Sequence, residues 1–344
     1  MPPATQTAAS AGPPATPSWT TRRRLMAAAV GVTVLAMVLL MALSLSPGGL
    51  VALEWVLLGC FALTLPWTVV GFWNATFGLV LMARGAAGWR AVHQGLPVVD
   101  PAAPLDSSTA LLVCIRNEDA EAVARRLDLM LDGLVEAGVA GHFHAYVLSD
   151  SNRDALNARE ARVFQRLSQR WHGLLPVTYR RREHNPGFKA GNIRDFCERW
   201  GSQHDFALVL DADSLMAPAA ILHLVRTMQA DERLGILQSL VTGMPSASAF
   251  ARPFQFGMRL GMRSFTLGSA WWQGDCGPYW GHNALIRLAP FIAHCKLPQL
   301  PGGPPLGGWI LSHDQVEAVL MRRAGYAVRV LPEEGGSWEQ NPPN

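Results

Sequence analysis

The chain has 344 residues, 49% of them hydrophobic, with a formal net charge of +3 and a mean hydropathy of +0.14. This is length for one ordinary domain plus an apolar segment, and with no dense basic run it excludes a nucleic-acid-binding protein. The five cysteines Cys60, Cys114, Cys197, Cys276 and Cys295 lie far apart without a Cys-x-x-Cys pair, which excludes a zinc site and a disulfide framework.

Residues 1–21 are Pro, Ala, Ser and Thr without periodicity and read as a disordered cytoplasmic tail. Arg22-Arg23-Arg24 then precedes an uncharged apolar run from Leu25 to Leu45, long enough to cross a bilayer as a helix and longer than the apolar core of a signal peptide. Ser46-Pro47-Gly48-Gly49 turns the chain, and a second apolar run, interrupted by Glu54 and Pro66, predicts a span over about 55–77. Residues 22–83 therefore form a membrane hairpin. Arginines before the first span and at Arg84 and Arg90 after the second put both ends in the cytoplasm, in contact with membrane lipid. Residues 84–109, rich in Pro, Asp and Ser from 97 onward, read as a linker.

From residue 110 to 344 strands alternate with helices. Ala110–Ile115 is a short apolar strand, and Arg116-Asn117-Glu118-Asp119 leads into a helix with apolar residues at 120, 123, 124, 127, 130, 131, 134 and 135, closed by Gly138. Phe143–Leu148 is a second strand ending in Ser149-Asp150-Ser151, and residues 154–172 are helical. The alternation predicts an α/β fold, a mainly parallel sheet with helices on both faces, in which ligands bind beyond the carboxyl ends of the strands.

The stretch Phe206–Ser214 is the most informative. Five apolar residues are followed by Asp211-Ala212-Asp213, and the period of two along an extended strand would turn both carboxylates the same way. Two acids at one opening call for a proton or a hard divalent cation, Mg2+ or Mn2+. Upstream, Asn185–Asn192 places glycines around Lys189, a loop whose backbone can approach a phosphate and whose lysine can neutralise it. Downstream, Trp271–Trp280 is dense in aromatics that suit either sugar rings or packing, followed by Gly281-His282-Asn283 and Arg287. Ser312-His313-Asp314 opens a helix over 315–323, and a carboxylate at a helix start is kept ionised by the dipole and free amides.

In that order these motifs resemble the family 2 glycosyltransferases, and among them the bacterial membrane enzymes of osmoregulated periplasmic glucan synthesis, themselves similar to cellulose synthases. The resemblance covers about residues 22–344. It implies a GT-A catalytic domain and an inverting transfer of glucose from UDP-glucose to a growing β-glucan at the inner membrane, with acyl carrier protein as a partner. It implies donor contacts at Asp150, Lys189, Asn192 and Asp211, and a metal at Asp211 and Asp213. Acceptor contacts would come from Trp272, Gly281, His282, Asn283 and Arg287. Asp314 would be the general base, although Ser312 and His313 depart from the family's usual Thr-Glu. Processive members continue into a Gln-x-x-Arg-Trp motif and channel helices beyond the catalytic acid, so the chain is expected to be a fragment. Two other classes carry some of the same features. One is a binding protein without activity; the other is a haloacid-dehalogenase phosphatase, which would want Thr or Val where this chain has Leu215.

Overall fold

In the computed structural model, which describes residues 19–303, 306–333 and 335–340, the chain opens with two long helices, α1 (Thr20–Leu45) and α2 (Ala52–Ala83). The expected tail lies outside the described residues up to 18. Its last three residues depart from the expectation: Trp19 is only 6% exposed and the helix begins at Thr20. Glu54 does not interrupt the second apolar run but starts its helix, accepting the Val51 amide at 2.9 Å, and Pro66 lies within α2. Both helices are long and apolar enough to cross a membrane. They present large apolar side chains outward, Leu63 at 83% and Trp67 at 89% exposure, a surface that suits lipid.

The expected linker holds a short helix, α3 (Ala86–His93), because its first half lacks the prolines that break up residues 97–104. Val92 packs there with Leu81, Leu267 and Ala270.

The strands in chain order are β1 (Thr109–Ile115), β2 (Phe143–Ser149), β3 (Val177–Arg181), β4 (Phe206–Asp211), β5 (Leu215–Met216), β6 (Leu234–Ser239), β7 (Thr242–Gly243), β8 (Ala284–Arg287), β9 (Ala327–Leu331) and β10 (Ser337–Glu339). Seven form one sheet in the order β3-β2-β1-β4-β8-β6-β9, parallel throughout except for β8, which runs against both neighbours. Among these strands run α4 (Ala120–Glu136), α5 (Asp154–Trp171), α6 (Phe188–Trp200), α7 (Pro218–Ala230), α8 (Ala251–Gln273), α9 (Leu288–His294) and α10 (His313–Arg323).

The sheet is covered on both faces. Leu111, Val113, Leu208 and Leu210 face α4, α5 and α7, while the alternate residues Leu112, Val209 and Ile286 face α6, α9 and α10. Such continuous apolar strands cannot lie at a solvent face, so the carboxyl ends are where polar residues first appear. Register makes those ends level: Cys114 pairs with Asp211, and Ile115 with Ser149. A second sheet, β5-β10-β7, folds residues 337–339 back beside the segment that follows Asp213. Helix α8 lies across α2 so closely that a Cβ on Gly78 would stand 1.7 Å from the Ser264 carbonyl oxygen.

Candidate active site

Strand β4 ends at Asp211, so strand alternation does not place the two aspartates. A turn does: the Ser214 amide donates to the Asp211 carbonyl at 3.1 Å, and the Ser214 hydroxyl accepts the Asp211 amide at 3.0 Å. Arg126 of α4 holds the turn from outside, donating through Nε and Nη2 to the Ala212 carbonyl at 3.1 and 2.8 Å. Burial, and then the neighbouring Asp211, push the Asp213 carboxyl up from its ordinary range; burial and then Asp213 do the same to Glu118.

Lys189 lies in the first turn of α6, which starts after Gly187 in the left-handed conformation. Its ammonium donates to Asp211 and, at 2.7 Å, to the carbonyl of Gly281. Gly281, with φ of +78°, also faces Asp314 at the start of α10: a Cβ there would stand 3.4 Å from the Asp314 Cβ and 3.6 Å from Oδ2. Asp211, Lys189, Gly281 and Asp314 are thus one connected group from four separate chain segments.

Next in line, His282 Nε2 stands 3.6 Å from Glu339 Oε2. Burial, then Asp213 and Asp211, push the Glu339 carboxyl up against the opposing effect of His282. Asn283 is turned inward. Its amide donates to the Ser337 hydroxyl at 2.9 Å and it is fully buried, so it braces β10 and does not face an acceptor.

Two donor-side expectations take a different form. Asp150, 4% exposed, gives both carboxylate oxygens to Arg182, at 2.8 and 2.7 Å, so the charge presented there is a neutralised pair. Asn192 is buried, accepting from Arg180 at 2.6 Å and donating to the Leu148 carbonyl at 2.9 Å, so its amide shapes the wall through these bonds.

Trp272 and Arg287 do not join the site. Trp272 is near the end of α8 and donates from Nε1 to Asn74 of α2 at 2.8 Å, a contact between helices. Arg287 is carried away because β8 is antiparallel. It pairs with Phe206 at the opposite end of β4 from Asp211, and its guanidinium donates to the carbonyls of Leu234, Met228 and Asp231.

The carboxyl ends open into a cavity of about 750 Å³ lined by Asp150, Lys189, Asn192, Asp211 and Asp213, together with Glu118, Arg126 and Gln340. Glu118, Arg126, Arg182 and Glu339 were not picked out from the sequence as site residues. Arg126 had one visible signal, a charge beside the apolar stripe of its helix; Glu339, reached through the small sheet, had none. Among the described residues no three or more His, Cys, Asp or Glu side chains are arranged to hold a metal. The two aspartates still suit a divalent cation whose remaining ligands come from outside the chain: both are oxygen donors, and their proximity raises the cost of ionising Asp213.

Residues 111–294 match the family described as Glycosyl transferase family 2. Glucans biosynthesis glucosyltransferase H of Xanthomonas euvesicatoria is 39% identical over 297 residues, covering 86% of this chain and 45% of that protein. The protein of the same name from Cereibacter sphaeroides is 41% identical over 275 residues, covering 77% of this chain and 46% of its own length. The chain therefore spans less than half the length of these curated relatives. Among solved structures, a mannosyltransferase from Pyrobaculum calidifontis in complex with GDP-Man and Mn2+ matches 78% of this chain and 69% of its own at a TM-score of 0.45 and 16% identity.

Proposed function

The chain belongs to glycosyl transferase family 2, and from that premise we propose that it transfers glucose from UDP-glucose to a growing β-glucan with inversion at the sugar carbon. The observation that carries this reading is the meeting of Lys189 and Asp314 on Gly281, which sets a cation for the donor and a carboxylate for the acceptor side by side.

Asp314 is the base. It takes the proton of the attacking acceptor hydroxyl while the diphosphate leaves from the opposite face of the sugar, and no covalent intermediate is required. Asp314 lies in the first turn of α10, facing Gly281. Lys189 neutralises the diphosphate. The Asp150–Arg182 pair borders the nucleotide end, and His282 with Glu339 borders the acceptor side. Asp211 and Asp213 would hold a divalent cation, Mg2+ or Mn2+, which offsets negative charge on the departing UDP.

The two long apolar helices support a place in the bacterial inner membrane, with the catalytic domain on the cytoplasmic face. The likeness to the glucan enzymes alone carries acyl carrier protein as a partner. Membership in a glycosyl transferase family removes the phosphatase reading, and Asp314 set beside Lys189 across Gly281 favours an enzyme over a binding protein. The test is Asp314→Asn: incorporation of radiolabelled glucose in membranes should fall about 10²- to 10⁴-fold with UDP-glucose affinity retained. An undiminished rate would move the base elsewhere.

A further inference from the structure

At the amino ends of β6 and β9, remote from the catalytic cavity, a second polar cavity of about 230 Å³ lies between the first membrane helix and the catalytic domain. Trp19 forms one wall. The guanidinium of Arg329 stacks on its ring, 5.1 Å from the centroid, and that of Arg22 lies 4.9 Å from the same centroid. Arg329 is 5% exposed, donates to the Gln94 carbonyl at 2.9 Å, and makes no ion pair among the described residues. Its neighbours are already committed. Asp275 is shared between Arg23 and Arg322, at 2.5 and 2.8 Å, and Asp231 is taken by Arg233 through two bonds. The Arg322 Nε is buried without a partner. Five arginines thus meet two aspartates, and a buried guanidinium without a carboxylate is costly unless an anion joins it. Burial lowers the affinity of Arg329 for its proton to a value of about 10, against the opposing effect of Asp275 and Asp231.

We propose that this cavity, walled by Trp19, Arg233, Arg322 and Arg329, binds a phosphate group, carried either by a small phosphate ester or by an anionic lipid headgroup. Guanidinium forks recognise phosphate oxygens in pairs, and the wall supplied by Trp19 at the head of a membrane helix puts either source within reach.

The test is thermal unfolding of the full chain with chelator present. One arm is detergent with inorganic phosphate against chloride of equal ionic strength; the other is phosphatidylglycerol nanodiscs against phosphatidylcholine nanodiscs. Binding should raise the wild-type midpoint by about 2–4 °C, with the rise weakened by Arg233→Gln and lost in Arg329→Gln. UDP titration checks that each variant is folded, and Arg233→Gln alone carries the test if Arg329→Gln does not fold. A rise with inorganic phosphate assigns a soluble ester, and a rise with phosphatidylglycerol alone assigns the lipid. No rise in either arm, or an equal rise in wild type and variants, as phosphate in the catalytic cavity would give, overturns the proposal.

Discussion

Gly281 and Asp314 face each other across the site: a Cβ on the glycine would stand 3.4 Å from the Asp314 Cβ, while the glycine carbonyl holds the Lys189 ammonium at 2.7 Å. A methyl group there would enter van der Waals contact with Asp314 and would sit on a left-handed backbone, which costs about 1–2 kcal/mol for a residue with a Cβ. Gly281→Ala should therefore lower glucose transfer by about tenfold or more while the chain stays folded. Transfer and unfolding measured on the same preparation check this, and an unchanged rate would separate Gly281 from the chemistry.

Trp272 and Asn74 join α8 to α2. Trp272→Phe keeps an aromatic side chain but leaves the buried Asn74 oxygen without its donor, a loss of about 1–3 kcal/mol. The expected result is a lower unfolding midpoint with unchanged UDP affinity and unchanged acceptor KM. A raised acceptor KM at full stability would return Trp272 to the acceptor side.

Glu333 bridges two histidines, with His223 Nε2 at 3.3 Å and His93 Nε2 at 3.5 Å, and so ties α3 to the catalytic domain. The polar contacts of His223 and then His93 hold the Glu333 carboxyl down at about 2, and the contact with Glu333 raises His93. A depressed carboxylate gives stability that is lost as pH falls below about 4.5, and a raised histidine gives stability that is lost as pH rises past its folded value. Glu333→Gln should thus cost most near pH 5.5 and least near pH 8, by about 1 kcal/mol at most for so exposed a group. Chemical denaturation at the two pH values reads the difference; an equal or reversed cost contradicts it.

The hairpin turn and the catalytic domain should lie on opposite sides of the membrane. In a cysteine-free background, Cys at Gly48 should be labelled from outside intact cells by an impermeant maleimide and Cys at Ser202 should not. The reverse pattern would invert the orientation.

Much of this fold was legible because its signals are local. A short apolar run such as Phe206–Leu210, closed at once by polar residues, reads as a buried strand, and the α4 stripe reads as a helix packed on one side. Asp211 was legible for the same reason, since it lies at the end of a recognisable strand, whereas Lys189 was expected on a loop and lies in the first turn of α6. What escaped depends on strand direction and long-range pairing. Arg287 follows His282 closely in sequence, but an antiparallel β8 carries it to the opposite end of the strands, beside Phe206. Trp272 looked like a sugar platform until the α2–α8 crossing gave it a partner. Arg182 and Glu339 enter through pairings with Asp150 and His282, which no spacing reveals.

The most direct test of the donor site is calorimetric titration of UDP into the full chain with Mn2+ and with chelator, for wild type, Asp213→Ala and Asp314→Asn. Wild type and Asp314→Asn should bind equally and only with metal, and Asp213→Ala should not bind. Equal affinity with and without chelator, or full affinity in Asp213→Ala, would contradict the assignment of the two aspartates.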